Sequence, residues 1–356
     1  IARRCTWGVT VDSAGNWAIV SFMKTKKLAA QRARRSVIAG AAALAVSLSS
    51  LVSFSSQTPS ALAEPGASGN VSGATIPDGL VGKHVATAPV NDPSCEPAPE
   101  HPRPVIFLHG TSDNSTRWQK AANALSGQGF CTWSFNYGKR QDGRPNLLGH
   151  YATEDIDDSA KEIAATIDYI LSATGAEEVD LVGHSQGGLH LKKFIAENGG
   201  GNKVGRVVGV APTYHGTTLN GMDKMLRPMI ERNPEFAEAV AGKAGVQQLI
   251  GSELVDRLNE LPDTDGRVQY TNLYSSADTT ATPNSTSQLE SVGGADVANV
   301  EIGKACGLPI PPGHAALPQN NQTIGLIYWG LTRQADDHAP ATSDCTNPAS
   351  TSTPGS

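Results

Sequence analysis

Three residues carry the chemistry this chain can do: Ser185, Asp278 and His314. Ser185 sits in Gly183-His184-Ser185-Gln186-Gly187, between an apolar run at Val179–Val182 that reads as a strand and a stretch from Gly188 to Asn198 that reads as a helix. Strand, tight turn, Ser, helix is the context of a nucleophile elbow. The turn forces Ser185 into a strained backbone, so Gly183 and Gly187 must leave room where a side chain would clash. A Ser hydroxyl becomes a nucleophile when a base takes its proton, the role open to His314. A carboxylate on the other ring nitrogen would fix the tautomer and stabilise the imidazolium, the role given to Asp278. The oxyanion of a tetrahedral intermediate needs preorganised donors. Gln186 offers one backbone N–H and Thr111, after His109-Gly110, a second; the Thr111 hydroxyl is a candidate third.

The elements that must hold these groups follow in order. Val105–Leu108 is an unbroken apolar run, as expected of a strand buried on both faces of a parallel sheet. A helix is expected over Ser115–Leu125, a strand over Cys131–Asn136 and a helix over Asp155–Ala173, where Ile156, Ala160, Ile163, Ile167 and Ile170 recur at helical spacing. Further strands are expected at Val204–Val210, Arg267–Tyr274 and Val300–Ile302, and a last helix at Thr323–Thr332. This alternation predicts an α/β class protein with a doubly wound, mostly parallel sheet. Ser, acid and His appear in that chain order, each in a loop after a strand, which predicts the α/β-hydrolase fold. From 219 to 261 the pattern is helical with no strand, and three of the four Met fall there; it reads as a helical cap or lid over the site.

Three other acids and four other histidines compete for roles. Asp263 and Asp265 precede the strand at Arg267, and Asp296 precedes the strand at Val300. Chemistry gathers at the carboxyl ends of strands, so all three stand on the wrong side and only Asp278 qualifies. His109 reads as support for the oxyanion loop, His184 as packing beside the elbow and His338 as solvated. His215 is open between loop support and a wall of the acyl pocket.

The start of the chain reads differently. Residues 1–22 resemble no domain. Met23 opens a basic stretch (Lys24, Lys26, Lys27, Arg32, Arg34, Arg35), followed by the apolar run Ser36–Phe54 and the small-residue site Ala61-Leu62-Ala63. That is the pattern of a secretory signal peptide, so 1–63 is expected to be an upstream stretch and a removed leader, and the protein to be secreted. The Ser residues diluting the run argue against a membrane anchor. Residues 64–103, rich in Pro, Gly and Ser, read as a linker, 104–335 as the catalytic domain and 336–356 as a polar tail. Setting aside 1–63, with eight basic residues and one acid, leaves 20 basic and 33 acidic of the 28 and 34 in the chain. An acidic protein repels nucleic acid, and no basic stripe argues otherwise. Beyond the leader stand Cys95, Cys131, Cys306 and Cys345, an even number that favours two disulfides in an oxidising compartment. Three pairings exist; Cys95–Cys131 and Cys306–Cys345 are favoured because each ties a peripheral segment to the core. No Cys/His spacing suggests a metal, and no cofactor is expected.

Leu108-His109-Gly110-Thr111, Gly183-His184-Ser185-Gln186-Gly187-Gly188, Tyr274-Ser275-Ser276-Ala277-Asp278 with Pro283, and Gly313-His314 together resemble the bacterial class 2 lipase/esterase group of α/β-hydrolases. The second half is also similar to Candida antarctica lipase B. The resemblance covers roughly 95–335 and implies hydrolysis of acylglycerols or simpler carboxylic esters. It implies Ser185, Asp278 and His314 as triad, Thr111 and Gln186 as oxyanion hole, and a family disulfide at Cys95 and Cys131. It leaves room for transient contact with lipid interfaces. His184 before the Ser and the longer insertion at 219–261 depart from the yeast enzyme, so lid behaviour does not carry over. An exported acyltransferase or a polyester depolymerase would use the same triad.

Overall fold

The structure, a computed structural model, describes residues 91–140 and 151–350, and the backbone of two strands nearer the start. Contacts divide the chain into two units, Ile1–Ser50 and Leu51–Ser356. In the first, β1 (Thr6–Val11) pairs antiparallel with β2 (Trp17–Phe22). The sequence reading finds no domain in 1–22 and overlooks this pairing, which β-branched and aromatic residues favour. The leader expected at 23–63 and the first part of the linker, 64–90, lie outside the described residues.

The second unit is built on six parallel strands: β3 (Val105–Leu108), β4 (Thr132–Ser134), β5 (Val179–His184), β6 (Val204–Val210), β7 (Gln269–Tyr274) and β8 (Val297–Glu301). Their order is β4-β3-β5-β6-β7-β8, and every adjacent pair is parallel. Alternation along β3 assigns the two faces. Val105 and Phe107 join a core with Trp118, with Leu125 of α1 (Gln119–Ser126) and with Ile324 and Ile327 of the last helix. Ile106 and Leu108 join the opposite core, with Ile163 and Ile167 of α2 (Ile156–Thr174) and Leu191 and Phe194 of α3 (Gln186–Glu197). Burial on both faces explains why the central strands read as continuous apolar runs rather than alternating ones. Asp155 is not the first residue of α2 but its cap, its carboxylate accepting from the N–H groups of Asp157 (2.8 Å) and Asp158 (3.2 Å).

Between β6 and β7 the chain forms α4 (Asp223–Arg232), α5 (Pro234–Ala241), α6 (Lys243–Gln247) and α7 (Glu253–Asn259). A single parallel bridge, Thr217 to Leu249, joins this segment to the chain leaving β6. Ala244, Leu254 and Leu258 bury against Ile156 and Leu189, which seats the helices on the starts of α2 and α3. After β8 come α8 (Ile302–Ala305) and α9 (Asn321–Thr332).

Both flanking segments are shorter than the sequence suggests. The expected linker to 103 is tied down from Asn91, whose side-chain amide donates to Ser134 O and accepts from Ser134 N, both at 2.8 Å, extending the β4 edge as a peptide group would. The expected polar tail from 336 packs along α9: a side chain at Gly325 would lie 2.6 Å from Asp344 O. Disulfides Cys95–Cys131 and Cys306–Cys345 hold the two segments, with Cα separations of 5.9 and 5.7 Å. Compositional polarity does not register such covalent and main-chain anchoring. Among the described residues no helix is long and apolar enough to cross a membrane.

Candidate active site

The end of β5 places Ser185. Its φ of 56° and ψ of −120° lie in a region that L-residues avoid, while its N–H donates to Val210 O at 3.1 Å and its carbonyl accepts from Gly188 N at 2.9 Å. The neighbouring glycines are required by contact. A Cβ at Gly187 would stand 2.4 Å from Leu108 O, one at Gly183 2.6 Å from the Gly187 carbonyl carbon, and one at Gly188 2.2 Å from Pro212 Cβ. The start of α3 therefore presses directly on the ends of β3 and β6. The Gln186 N–H, first in α3, has no carbonyl one turn back to accept from it and is free for an anion.

The loop after β3 meets this turn. A Cβ at Gly110 would lie 3.1 Å from Ser185 Cβ, so Thr111 follows a residue in contact with Ser185. His109 holds the loop from below: its ring stacks on Tyr137 at 4.5 Å, its Nδ1 donates to Gly110 O at 2.9 Å, and Tyr137 Oη donates to its carbonyl at 2.5 Å. Burial pushes the His109 pKa down, which keeps the ring neutral.

The loops after β7 and β8 bring Asp278 and His314 together. His314 Nδ1 and Asp278 Oδ2 are 2.7 Å apart, and both side chains are buried. The other Asp278 oxygen accepts from Thr280 N (2.7 Å) and Ala281 N (3.0 Å), which fixes the orientation of the carboxylate. The two loops are latched to each other, since Ser275 Oγ donates to Pro312 O at 2.6 Å. With Nδ1–H committed to Asp278, the lone pair of His314 sits on Nε2. The described residues show no hydrogen bond from Ser185 to His314; such bonds tighten when substrate binds. His184 links the two, its ring 4.6 Å from the His314 ring and its Nε2 donating to His314 O at 3.1 Å. Burial, then the His314 charge, holds the His184 pKa well below the ordinary value, so it does not compete for the proton.

The remaining acids are engaged elsewhere. Asp263 binds Lys192 at 2.7 Å; burial would raise its pKa, but the hydrogen bonds from His215 and Lys192 outweigh this and hold it far below the usual range. Asp265 pairs with Arg267 at 2.6 Å. Asp296 binds the buried Arg333 of the chain leaving α9. His215 Nε2 donates to Gln288 O at 3.2 Å and its Nδ1 lies 2.8 Å from Asn259 Oδ1, so it supports the loop after β6. His338 is not free in solvent but stands 3.1 Å from Asp296. Asp296, Asp336 and His338 bring three ligand-type atoms within 4.8 Å of one another, yet Arg333 already supplies the positive charge there. Two participants escape a sequence reading. His190 is fully buried, its ring edge-on to Tyr137, and burial followed by the Lys193 charge lowers its pKa to about 3. Gln248, from the segment between α6 and α7, donates to Thr111 Oγ1 at 2.8 Å. No local motif marks either.

Residues 103–293, just over half of the chain, match the family model described as alpha/beta hydrolase fold, and the chain belongs to that family. Over 100 residues it is 34% identical to gastric triacylglycerol lipase of Homo sapiens, covering 24% of this chain and 25% of that protein. Over 111 residues it is 30% identical to a non-heme haloperoxidase of Rhodococcus erythropolis, covering 31% and 38%. The chain thus spans between a quarter and two fifths of these relatives' lengths. Among solved structures it is similar to Aspergillus fumigatus lipase B, with 16% identity, a TM-score of 0.48 and coverage of 70% of this chain and 60% of that one.

Proposed function

We propose that this protein is a secreted serine hydrolase that cleaves carboxylic esters, a triacylglycerol lipase or esterase acting through an acyl-enzyme. The observation that carries the reading is the 2.7 Å contact of His314 Nδ1 with a buried, doubly hydrogen-bonded Asp278, in a chain whose Ser185 occupies a strained elbow. His314 Nε2 takes the Ser185 proton as Oγ attacks the ester carbonyl. The imidazolium formed is stabilised by Asp278 and then protonates the leaving alkoxide. The oxyanion is met by the N–H groups of Thr111 and Gln186. Water, activated by the same histidine, releases the acid. No step calls on a metal or cofactor, so activity is expected to survive a chelator.

The helices at 223–259 serve in this reading as a cap over the acyl site. The leader pattern before residue 64 and the two disulfides support secretion. The partners are an ester substrate and, transiently, a lipid interface. The test is turnover of p-nitrophenyl esters of several chain lengths, with and without an alcohol acceptor. Faster acyl transfer to the alcohol than to water would replace the hydrolase with an acyltransferase, and no turnover of any ester would overturn the reading.

A further inference from the structure

Thr111 Oγ1 lies between two side-chain amides. Gln186 Nε2 donates to it from 2.9 Å and Gln248 Nε2 from 2.8 Å. The direction of both bonds is fixed by a second contact of each amide. Gln186 Nε2 also reaches Ala152 O, and Gln248 Nε2 also reaches Ala244 O, each at 3.0 Å. A backbone carbonyl only accepts, so nitrogen and not oxygen must face it, and the remaining N–H of each amide points at Thr111. Gln248 Oε1 accepts independently from Thr213 Oγ1 at 3.1 Å. A hydroxyl has two acceptor lone pairs and one proton. Both lone pairs of Thr111 are taken, which leaves its O–H able only to donate.

Gln248 is itself held by the chain leaving β6. Its carbonyl accepts from Thr217 N at 2.8 Å, and Ile250 N donates to Thr217 O at 3.1 Å. The direction of the Thr111 hydroxyl thus depends on how the helical segment is seated.

We infer that Gln248 is a positioning residue for the oxyanion hole. With Gln186 it commits the Thr111 hydroxyl to donate to the oxyanion, so the hole is complete only when the helical cap is in place. This rests on the ester-hydrolase reading above. A substrate carbonyl is a weak acceptor and the oxyanion a strong one, so the effect belongs to kcat rather than KM.

The test is a double-mutant cycle on a p-nitrophenyl ester, with rates expressed per serine titrated by a p-nitrophenyl phosphonate so that unfolded protein does not count. Removing an oxyanion donor outright costs about 10²–10³ in kcat, so Gln248→Met, which only releases the hydroxyl, is expected to lose about tenfold with KM nearly unchanged. In a Thr111→Val background the same change is expected to cost less than about twofold, and in Thr111→Ser, which keeps the hydroxyl, the full loss should return. Equal losses in the Val and Thr backgrounds, or a loss confined to KM, would overturn the inference. Where Gln248→Met gives no titratable serine, Gln248→Glu keeps the shape without the donor and must show the same dependence on Thr111. Ester turnover surviving in Ser185→Ala would overturn the hydrolase reading and this inference with it. An inactive Ser185→Ala beside a Gln248→Met that behaves as the parent would overturn this inference alone.

Discussion

Ser185 stands in a conformation that only its surroundings sustain, with φ 56° between two glycines at which a Cβ would lie within 2.6 Å of backbone. Ser185→Ala keeps that backbone and loses one oxygen. Ester turnover is expected to fall to background while the thermal unfolding curve stays in place; activity within about tenfold of the parent would remove Ser185 from the mechanism. Asp278 is expected to matter nearly as much. Asp278→Asn would present the wrong tautomer of His314 and lose on the order of 10⁴ in kcat, by analogy with serine proteases. At this scale much was legible in the chain. The order of Ser185, Asp278 and His314 and the strand end each follows are readable from the chain, and the structure sets the acid and the histidine 2.7 Å apart. Gln248 was illegible because its contact with Thr111 joins residues 137 apart through one side-chain amide, which leaves no periodicity or motif to read.

At the scale of elements, the C-terminal helix is fastened by charge. Arg333, at the end of α9, is buried against β7 and β8, where it donates to Tyr270 O (2.8 Å), Thr271 Oγ1 (2.9 Å) and the carboxylate of Asp296. Burial raises the Asp296 pKa, but the N–H of Asp336, Arg333 and His338 together bring it down to about 2. A carboxyl group depressed in the folded state stabilises fully above its unfolded value near 4 and loses that contribution as pH falls towards its folded value. Asp296→Asn is therefore expected to lower stability at neutral pH, by about 3 kcal/mol for a buried guanidinium left without its counter-ion. The deficit relative to the parent should shrink between about pH 4 and pH 2. Denaturant melts of both proteins at several pH values check this, and a constant deficit down to pH 2 would assign the clamp to shape rather than charge. Element positions were readable wherever the chain repeats an apolar period. The helix at Asp155 and the strand at Val204 fall within one residue of expectation. The first helix instead begins with a separate 3₁₀ turn at Ser115–Trp118, which periodicity does not distinguish from α.

For the molecule as a whole, two covalent ties close loops at sequence separations of 36 and 39 residues. In the chain-entropy account each restricts the unfolded state by about 4 kcal/mol. Reduction is expected to lower the melting temperature by several degrees, more steeply than the loss of any single surface ion pair. A native, unreduced chain beginning at residue 64 should give no reaction with a thiol reagent. Labelling of two or more thiols would show that one tie is not made in solution. The ties also explain where the domain limits escaped prediction. Residues 91–103 and 336–350 look like linker and tail by composition, yet Asn91, Cys95 and Cys345 anchor them to the edge of the sheet and to the end of α8.

The crowding at Gly183, Gly187 and Gly188 has a consequence for how this chain can change. Every one-base change of a glycine codon that alters the residue and does not end translation installs a Cβ. At these three positions that atom would land 2.2–2.6 Å from its nearest neighbour. In a library of random point variants screened only for soluble expression, without regard to turnover, the three residues should stay almost invariant. Even a glycine at 212, which removes the 2.2 Å contact, would leave the Pro212 Cα 2.9 Å from a side chain at 188, so a change at one position does not open the other and the backbone must move with it.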